Sequence, residues 1–424
     1  MSETPRQPAP PAVTGTDRAT PADQPDRSDH PGPPRVVVAG LGDTGVLVAT
    51  RLARSCQVVG ISTRPALVSG QELGNRLTDP ARWRRSYLVP YRRFRRLDRA
   101  RTVHGRITSV DLDRREVRVD RPYLGIAVEP YDVLVIATGA SNGFWRHDRV
   151  EDLPAIDDQL ATVAARLEAA ATIAVVGGGA TGVSVADNLA RRGGTEVHLF
   201  HSGDVPLPGY HPKVRRWIVR RLRDDGVTVH GGHRAELPEG FTGDRRTTGP
   251  VHWSTGQPPF QADLTLWAVG GVRPHSSFLP KEVLDEHGFV QVDEHLRLPG
   301  HPNVFAVGDV AASDPHRSSA RNWGYRVVVA NVGALVHGRS GRLRRYHAPE
   351  HRWGSVLGLQ DEGLIVVQPD GRRMRIPRWL AEPLLFRGFV ERYLYGGLRP
   401  RTRSRRPAEA AAGLALGHFG EREP

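Results

Sequence analysis

Three features of the 424-residue sequence predict an α/β fold. The first is a glycine fingerprint directly after an apolar run, Val36-Val37-Val38-Ala39-Gly40-Leu41-Gly42-Asp43-Thr44-Gly45. The second is another copy of the same pattern, Ile173-Ala174-Val175-Val176-Gly177-Gly178-Gly179-Ala180-Thr181-Gly182. The third is a strand-like run that closes each copy, Val133-Leu134-Val135-Ile136-Ala137 and Leu264-Thr265-Leu266-Trp267-Ala268-Val269. Each runs straight into small residues, Thr138-Gly139 and Gly270-Gly271. Apolar runs of this length suit strands buried on both faces of a parallel sheet. The chain therefore reads as a duplicated architecture of fingerprint, crossovers, buried strand and small-residue turn.

One G-x-G-x-x-G alone is a weak signal; a strand before it and a helix after it supply the context that gives it meaning. The glycines then permit a tight turn, a close approach of backbone to pyrophosphate, and close packing of helix on strand. The helix N-terminus presents free N–H groups and a positive dipole end to the phosphates. Two such units predict a protein that holds two dinucleotides.

The elements follow in order. Residues 1–34 are rich in Pro, Asp, Thr and Ser and lack large apolar side chains, which predicts a disordered tail. The first unit begins at Arg35, with a helix through Val46–Leu52 and a second strand ending near Ser62. A basic-aromatic stretch covers 82–96, and period-two alternation then marks strands between 102 and 136. The first unit runs over 35–152, the second over 153–273, and 274–345 returns to the first. That return carries Val304-Phe305-Ala306-Val307-Gly308-Asp309 and an apolar helical stretch, Val327–Val336. Residues 346–400 read as a separate β-rich cap ending in an amphipathic helix, and 401–424 as a second disordered tail.

Bulk properties narrow the chemistry. The formal charge is +13, carried almost wholly by arginine, since Lys213 and Lys281 are the only lysines. Such a balance favours anionic partners: phosphorylated cofactors, acidic lipid or nucleic acid. No apolar run reaches the ~20 residues that span a bilayer, and the N-terminus lacks the pattern of a signal peptide. The expectation is a cytoplasmic protein able to rest on a membrane surface. The single cysteine, Cys56, excludes an internal disulfide and every C-x-x-C scheme, and reads as a buried core thiol.

Two catalytic strings are set aside on physical grounds. His347-Ala348-Pro349-Glu350-His351 matches H-x-x-E-H, yet Pro349 breaks the helix that zinc ligation needs. Gly139-Ala140-Ser141-Asn142-Gly143 matches G-x-S-x-G, but Phe144-Trp145-Arg146-His147-Asp148-Arg149 does not continue as an apolar helix. No metal ligand set is predicted. The 82–96 stretch reads as a helix and edge strand with Trp83, Tyr87 and Phe94 packed inward, rather than as a nucleic-acid grip. In Pro383–Leu394, Phe386, Val390 and Tyr393 share a face at 100° per residue, with Leu394 and Phe389 beside it and Arg387 and Arg392 near it. That helix suits an anionic membrane interface or packing on its own domain, and the sequence supports both equally.

These motifs in this order resemble the two-dinucleotide-binding-domain flavoproteins, the pyridine nucleotide-disulfide oxidoreductase superfamily. The resemblance rests on Gly40/Gly42/Gly45, Tyr131–Gly139, Gly177/Gly179/Gly182, Ala268–Pro274 and Val304–Asp309, and it covers 35–340. Within that superfamily the chain is similar to type II NADH dehydrogenases and apoptosis-inducing-factor-like quinone reductases. The stretch Tyr325–Val332 is similar to the helix that lines the flavin in those reductases. The resemblance implies two nested Rossmann-like dinucleotide-binding domains with a C-terminal cap: an FAD domain interrupted by an NAD(P)H domain. It implies FAD at Gly40, Gly42, Asp43, Thr44, Gly45, Ser62, Ala137, Thr138, Gly139, Gly308 and Asp309, with Asp309 on the ribityl or pyrophosphate end. It implies NAD(P)H at Gly177, Gly179, Ala180, Thr181, Gly182, His201 and Gly270.

Three departures stand out. Ser62 or Thr63 occupies the place of the usual ribose-binding acid in the first unit, and His201 and Ser202 occupy it in the second. Without a carboxylate there, a 2′-phosphate is tolerated, and Arg273, His201 and Lys213 favour NADPH. Gly182-Val183-Ser184 replaces the family's Gly-Val-Glu, and Ser318 and Asn322 stand where type II dehydrogenases carry a glutamine pair. The implied function is an FAD-dependent oxidoreductase that passes electrons from NAD(P)H to a quinone-like acceptor. Hydride transfer needs no protein acid or base, so no catalytic side chain is expected. The alternatives are reduction of a ferredoxin-type carrier protein, or a basic redox-sensing flavoprotein that binds nucleic acid.

Overall fold

A computed structural model describes residues 32–69, 73–141, 147–241, 246–269, 271–316 and 323–401. Both expected tails lie outside these residues, apart from 32–34 and Arg401. The first fingerprint strand, Arg35–Ala39, lies at the centre of a six-stranded sheet. Gln57–Ser62 and Ala100–His104 lie on one side of it, and Val133–Ile136, His301–Ala306 and Arg297–Leu298 on the other. All pairs are parallel except the last. Val36, Val37, Val38, Leu134, Val135 and Ile136 are fully buried, as parallel strands covered on both faces must be.

The second fingerprint strand, Thr172–Val176, repeats the arrangement. Glu196–Phe200 and Val227–His230 run parallel on one side, Phe260–Trp267 runs parallel on the other, and Arg246–Val251 closes antiparallel. The registers correspond: Ala39 pairs with Ile61 and Ile136, and Val176 with Phe200 and Trp267. The α/β fold is thus present twice. Two connections join the units, and they pair as an antiparallel ribbon, Ala140–Ser141 against Arg273–Pro274.

Local signals place the helices. Asp152 caps Leu153–Ala169 by accepting from the Ala155 N–H at 2.8 Å, with Pro154 in the first turn. Asp79 caps Pro80–Tyr87 in the same way at 2.9 Å. Trp83, Tyr87 and Phe94 are buried. The short helix Leu73–Thr78 presses on the fingerprint helix Ala180–Arg192 of the other unit; a Cβ at Gly74 would lie 2.4 Å from the Ser184 carbonyl.

The C-terminal segment carries a sheet and a small core of its own and is fastened to both units. Its three-stranded sheet, Leu359–Gln360, Gly363–Val367 and Arg373–Ile376, packs on the second unit. Val356, Leu357 and Val367 belong to the core that contains Val183, Leu189 and Ile218. Glu362 receives Arg191 at 2.9 Å and pairs also with Arg221. The following helix, Ala381–Leu394, then returns to the first unit. Val390, Leu394 and Tyr395 join the core of Val36, Leu47, Phe94 and Tyr325, and Arg51 donates to the Leu394 carbonyl at 3.2 Å.

This helix is wound as a π-helix, so the 100° periodicity assigned its faces wrongly. Ala381, Val390 and Leu394 point inward, whereas Tyr393 is 58% exposed. Leu394→Ala should therefore lower stability by about 2–5 kcal/mol, the cost of truncating a buried leucine, as measured by denaturant unfolding. A change under about 0.5 kcal/mol, typical of surface sites, would remove this helix from the core.

Candidate dinucleotide-binding sites

The two fingerprint turns are built to the same plan. Gly40 has φ +97°, and a Cβ there would lie 2.5 Å from the Ala137 carbonyl oxygen. Gly177 has φ +132°, with its Cβ position 2.3 Å from the Ala268 carbonyl. Gly45 and Gly182 leave no room either: their Cβ positions fall 1.8 and 1.9 Å from the carbonyl oxygens of Gly40 and Gly177. The middle glycines differ, since at Gly42 and Gly179 a Cβ would meet nothing within 4 Å. They face open space at the first turn of Asp43–Leu52 and Ala180–Arg192, and neither helix has a side-chain cap. Uncapped N–H groups aimed into open space form an anion site of the kind a pyrophosphate fills.

In the first unit that space is a cleft of about 190 Å³. Its lining contains Gly40, Gly42, Asp43, Thr44, Ser62, Ala137, Thr138, Gly139, Gly308 and Asp309. Sequence positions from 40 to 309 thus converge on one cleft. Gly45 lies beneath it, holding the helix against the turn. Gly308 has φ +86°, and its Cβ position lies 3.3 Å from the Thr44 hydroxyl, so this glycine brings Asp309 up to the turn. Asp43 accepts a hydrogen bond from Ser69 at 2.8 Å.

Ser62 ends its strand at the cleft wall. Tyr91 donates to the Leu41 carbonyl at 2.8 Å, so the Ser62 hydroxyl, 3.0 Å away, donates to Tyr91. Ser62 also accepts from the Arg64 N–H at 3.2 Å. One lone pair remains to accept from a ribose hydroxyl, where a carboxylate would offer several. Burial raises the Tyr91 pKa, partly offset by Ser62 and Arg64, so the phenol stays a donor. Tyr91, Arg64, Arg76, Arg106, Ile107 and Phe278 also line the cleft, and sequence reasoning did not find them. They lie outside the fingerprints, in segments without a motif.

Arg64 is held by Glu151 at 2.8 Å. Burial would raise the Glu151 pKa, but the hydrogen bond from His147 and the charge of Arg64 bring it to about 2.

In the second unit the register makes His201 the counterpart of Ser62. Gly40 donates to the Ile61 carbonyl at 2.9 Å and Gly177 to the Phe200 carbonyl at 2.8 Å, and the next residues are Ser62 and His201. His201 is buried against Gly178, whose Cβ position lies 2.6 Å from the His201 Cβ. Burial lowers its pKa, partly offset by a hydrogen bond with the Gly203 backbone. Ala180 and Thr181 open the helix after Gly179. Ser184, in the place of the family glutamate, is buried. Gly270, Ser318 and Asn322 lie outside the described residues.

The two domain connections are clamped beside the cleft. The Thr138 hydroxyl donates to the His275 carbonyl at 2.6 Å, and the His275 N–H donates to the Gly139 carbonyl at 3.0 Å. His275 Nδ1 lies 3.1 Å from the Thr138 carbonyl, and Nε2 lies 2.7 Å from the Ser141 hydroxyl. An Nδ1–H donor leaves Nε2 to accept from Ser141. Ser141 sits in the paired ribbon rather than on a strand-to-helix elbow, so this serine–histidine pair is a fastening. Burial lowers the His275 pKa, which favours that neutral form.

Cys56 is buried, and burial raises its thiol pKa. Residues 347–351 form no helix. Among the described residues no group of three or more His, Cys, Asp or Glu is placed to hold a metal ion, and no helix is long and apolar enough to cross a membrane.

Comparison with known proteins agrees with this geometry. The family model of the pyridine nucleotide-disulphide oxidoreductases matches residues 34–325. The chain is 31% identical to the oxidoreductase ptaL of Pestalotiopsis fici over 50% of its own length and 54% of the relative's. It therefore spans about half of that fungal protein. It is 25% identical to the type II NADH:quinone oxidoreductase Ndh of Mycobacterium tuberculosis, over 72% of this chain and 73% of that one. Among solved structures, a ferredoxin reductase from Rhodopseudomonas palustris superposes with a TM-score of 0.56 at 22% identity, over 75% of this chain and 79% of that one. At that identity the likeness concerns the fold.

The two kinds of fingerprint glycine predict different losses. Gly45→Ala puts a methyl group into a backbone carbonyl, so the protein should lose stability and FAD binding together. Gly42→Ala has room for its methyl group only where the phosphates would lie. It should unfold with the wild-type midpoint in the apo form, yet weaken FAD by at least about tenfold, or ~1.4 kcal/mol. Thermal melts and FAD titration of both apo variants distinguish the cases, and equal losses in both would contradict the assignment.

Proposed function

Given that the chain belongs to the pyridine nucleotide-disulphide oxidoreductase family, we propose that it is an FAD-dependent NAD(P)H oxidoreductase with a quinone-like acceptor. The observation that carries the reading is the pair of matched turns, with Gly308 and Asp309 brought to the first. A flavin in the cleft would supply the chemistry, accepting hydride from a reduced nicotinamide and passing electrons onward. The protein's part is placement: Gly40, Gly42 and Gly45 admit the pyrophosphate to the helix N-terminus, and Ser62 accepts from the ribose. Asp309 holds the ribityl or pyrophosphate end. Gly177, Gly179 and Gly182 do for the nicotinamide nucleotide what the first three glycines do for the flavin.

The quinone-like acceptor is supported by what the chain lacks and by the name of one relative. With Cys56 as its only cysteine, this chain has no redox disulfide of its own. The relative from Mycobacterium tuberculosis is named for a quinone. A carrier protein such as a ferredoxin is the second reading, favoured by the arginine-rich surface where Arg401 adjoins Arg84, Arg85 and Arg93. Because no carboxylate follows Phe200, we expect NADPH to be used at least as well as NADH.

The central test is spectroscopic. Purified protein should show flavin absorption that bleaches anaerobically on adding NADH or NADPH and returns with a soluble quinone. Asp309→Ala should lower FAD affinity by one to two decades, since a hydrogen bond to a charged group is worth about 1.5–3 kcal/mol. Full FAD occupancy in that variant under dilution would remove Asp309 from the site.

We further propose that Trp379, Leu384, Phe389 and Tyr393, all exposed and neighboured by Arg387 and Arg392, rest on an anionic membrane surface. Trp379→Ala with Tyr393→Ala should reduce sedimentation with anionic vesicles while the melting temperature stays within about 2 °C, as for surface sites. Unchanged sedimentation would exclude this face.

A further inference from the structure

A row of imidazoles, His198, His230 and His233, runs along the neighbouring strands Glu196–Phe200 and Val227–His230 of the second unit and into the loop that follows, with His201 beside it at the nucleotide turn, and hydride transfer makes no use of it. His198 Nε2 lies 2.9 Å from the Glu196 carboxylate, and His198 Nδ1 lies 3.0 Å from His230 Nε2. The His230 and His233 ring centroids are 5.6 Å apart. The His233 N–H donates to the His201 carbonyl at 2.9 Å, and the His201 N–H donates to the His230 carbonyl at 3.0 Å. Phe200 stacks on His230 at 4.3 Å, and Trp253 stands edge-on to His233 at 5.0 Å. Rings packed this way have little freedom to turn.

The hydrogen bonds dictate where protons sit. Glu196 can only accept, so His198 donates from Nε2 and accepts at Nδ1 from His230 Nε2–H. His230 Nδ1 is left as an acceptor. His233 Nδ1 lies 2.7 Å from the Gly231 carbonyl and must donate to it, which leaves its Nε2 as an acceptor. Burial and then the neighbouring His198, His233 and His201 hold His230 at about 4, so near pH 7 this imidazole is neutral without a ligand. The charged groups facing His201 are Asp204 from its own loop and Arg215 from the helix Pro212–Asp224. Arg215 is fixed to the carbonyls of Pro206 at 3.1 Å and Val205 at 2.6 Å.

We propose that this row reads a phosphate on the adenosine 2′ oxygen by proton uptake. A 2′-phosphorylated nucleotide binds at the end of Glu196–Phe200 together with about one proton, taken by His233 or His201, and a nucleotide without that phosphate takes none. The inference rests on reading the second fingerprint as the nicotinamide-nucleotide site. A dianion beside imidazoles raises their proton affinity, and each proton gained makes the contact charge-assisted. Arg215 contributes a constant attraction that does not vary with pH. The preference for NADPH over NADH should therefore rise as pH falls from 8 towards 6.5.

The experiment needs neither flavin chemistry nor turnover. Adenosine 2′,5′-bisphosphate and 5′-AMP are titrated calorimetrically into the full-length protein at pH 7 in two buffers of different ionisation enthalpy. The 2′-phosphate, with a second pKa of about 6, is already mostly dianionic, so a proton taken up must go to the protein. Uptake of roughly half to one proton is expected for the bisphosphate and about none for 5′-AMP. His233→Gln and His201→Gln, tested separately, show which ring takes it. The responsible variant should abolish most of the uptake and weaken the bisphosphate about tenfold more at pH 6.5 than at pH 8, a pH dependence that its effect on 5′-AMP should lack.

Tighter binding of the bisphosphate with the same heat in both buffers would overturn the histidine row and leave NADPH use to Arg215 and its neighbours. Equal affinity for the two nucleotides from pH 6 to 8 would overturn the row, and weaker binding of the bisphosphate than of 5′-AMP would overturn the expected use of NADPH as well. No binding of either would remove the nucleotide reading of the second fingerprint itself.

Discussion

The structure depends on a contact that only glycine permits. At Gly40 and again at Gly177, the chain leaves a central strand and passes within van der Waals contact of the neighbouring strand's final carbonyl. A methyl group at either place would overlap backbone atoms, which cannot move as a flexible side chain can. The same holds one helical turn later, where Gly45 and Gly182 seat their helices on the carbonyls of Gly40 and Gly177. These contacts aim the N-termini of two helices into open space. The cleft follows from that aim, and so does the anion binding proposed for it.

What surrounds the turns is less symmetrical. The first unit offers a hydroxyl at Ser62, already sharing its proton with Tyr91, where a carboxylate is usual. The second offers a buried imidazole packed behind Gly178. Both substitutions remove negative charge from the ends of the nucleotide strands, in a chain whose formal charge is +13. A phosphate-bearing ligand, as proposed for both turns, would gain from that.

The two units are also held together unequally. Beside the cleft the connection is polar and local: Thr138, Gly139, Ser141 and His275 exchange four hydrogen bonds across a two-stranded ribbon. Elsewhere it is apolar and long-range: Leu77, Trp83 and Tyr87 enter the core of the second unit, and the C-terminal segment shares one core with the second unit and, through its helix, another with the first. A ribbon alone would permit hinge motion, and the second attachment opposes it. This segment acts as a strap across both units, and that explains why a helix with exposed aromatics also carries a buried leucine and valine.

Residues 36–45 and 173–182 determined the two turns by themselves, because glycine spacing and apolar runs are local properties of the backbone. The buried parallel strands and the inward Trp83, Tyr87 and Phe94 were legible for the same reason. Only the tertiary structure decided the rest. Tyr91 reaches the Leu41 carbonyl across 50 residues, His275 reaches Thr138 across 137, and Arg51 reaches Leu394 across 343. No periodicity encodes such pairings, since each is set by how sheets and loops stack. The helical wheel misplaced Tyr393 because π-winding changes the angle per residue. The imidazole row escaped notice because His198, His201, His230 and His233 adjoin one another only when two strands lie side by side.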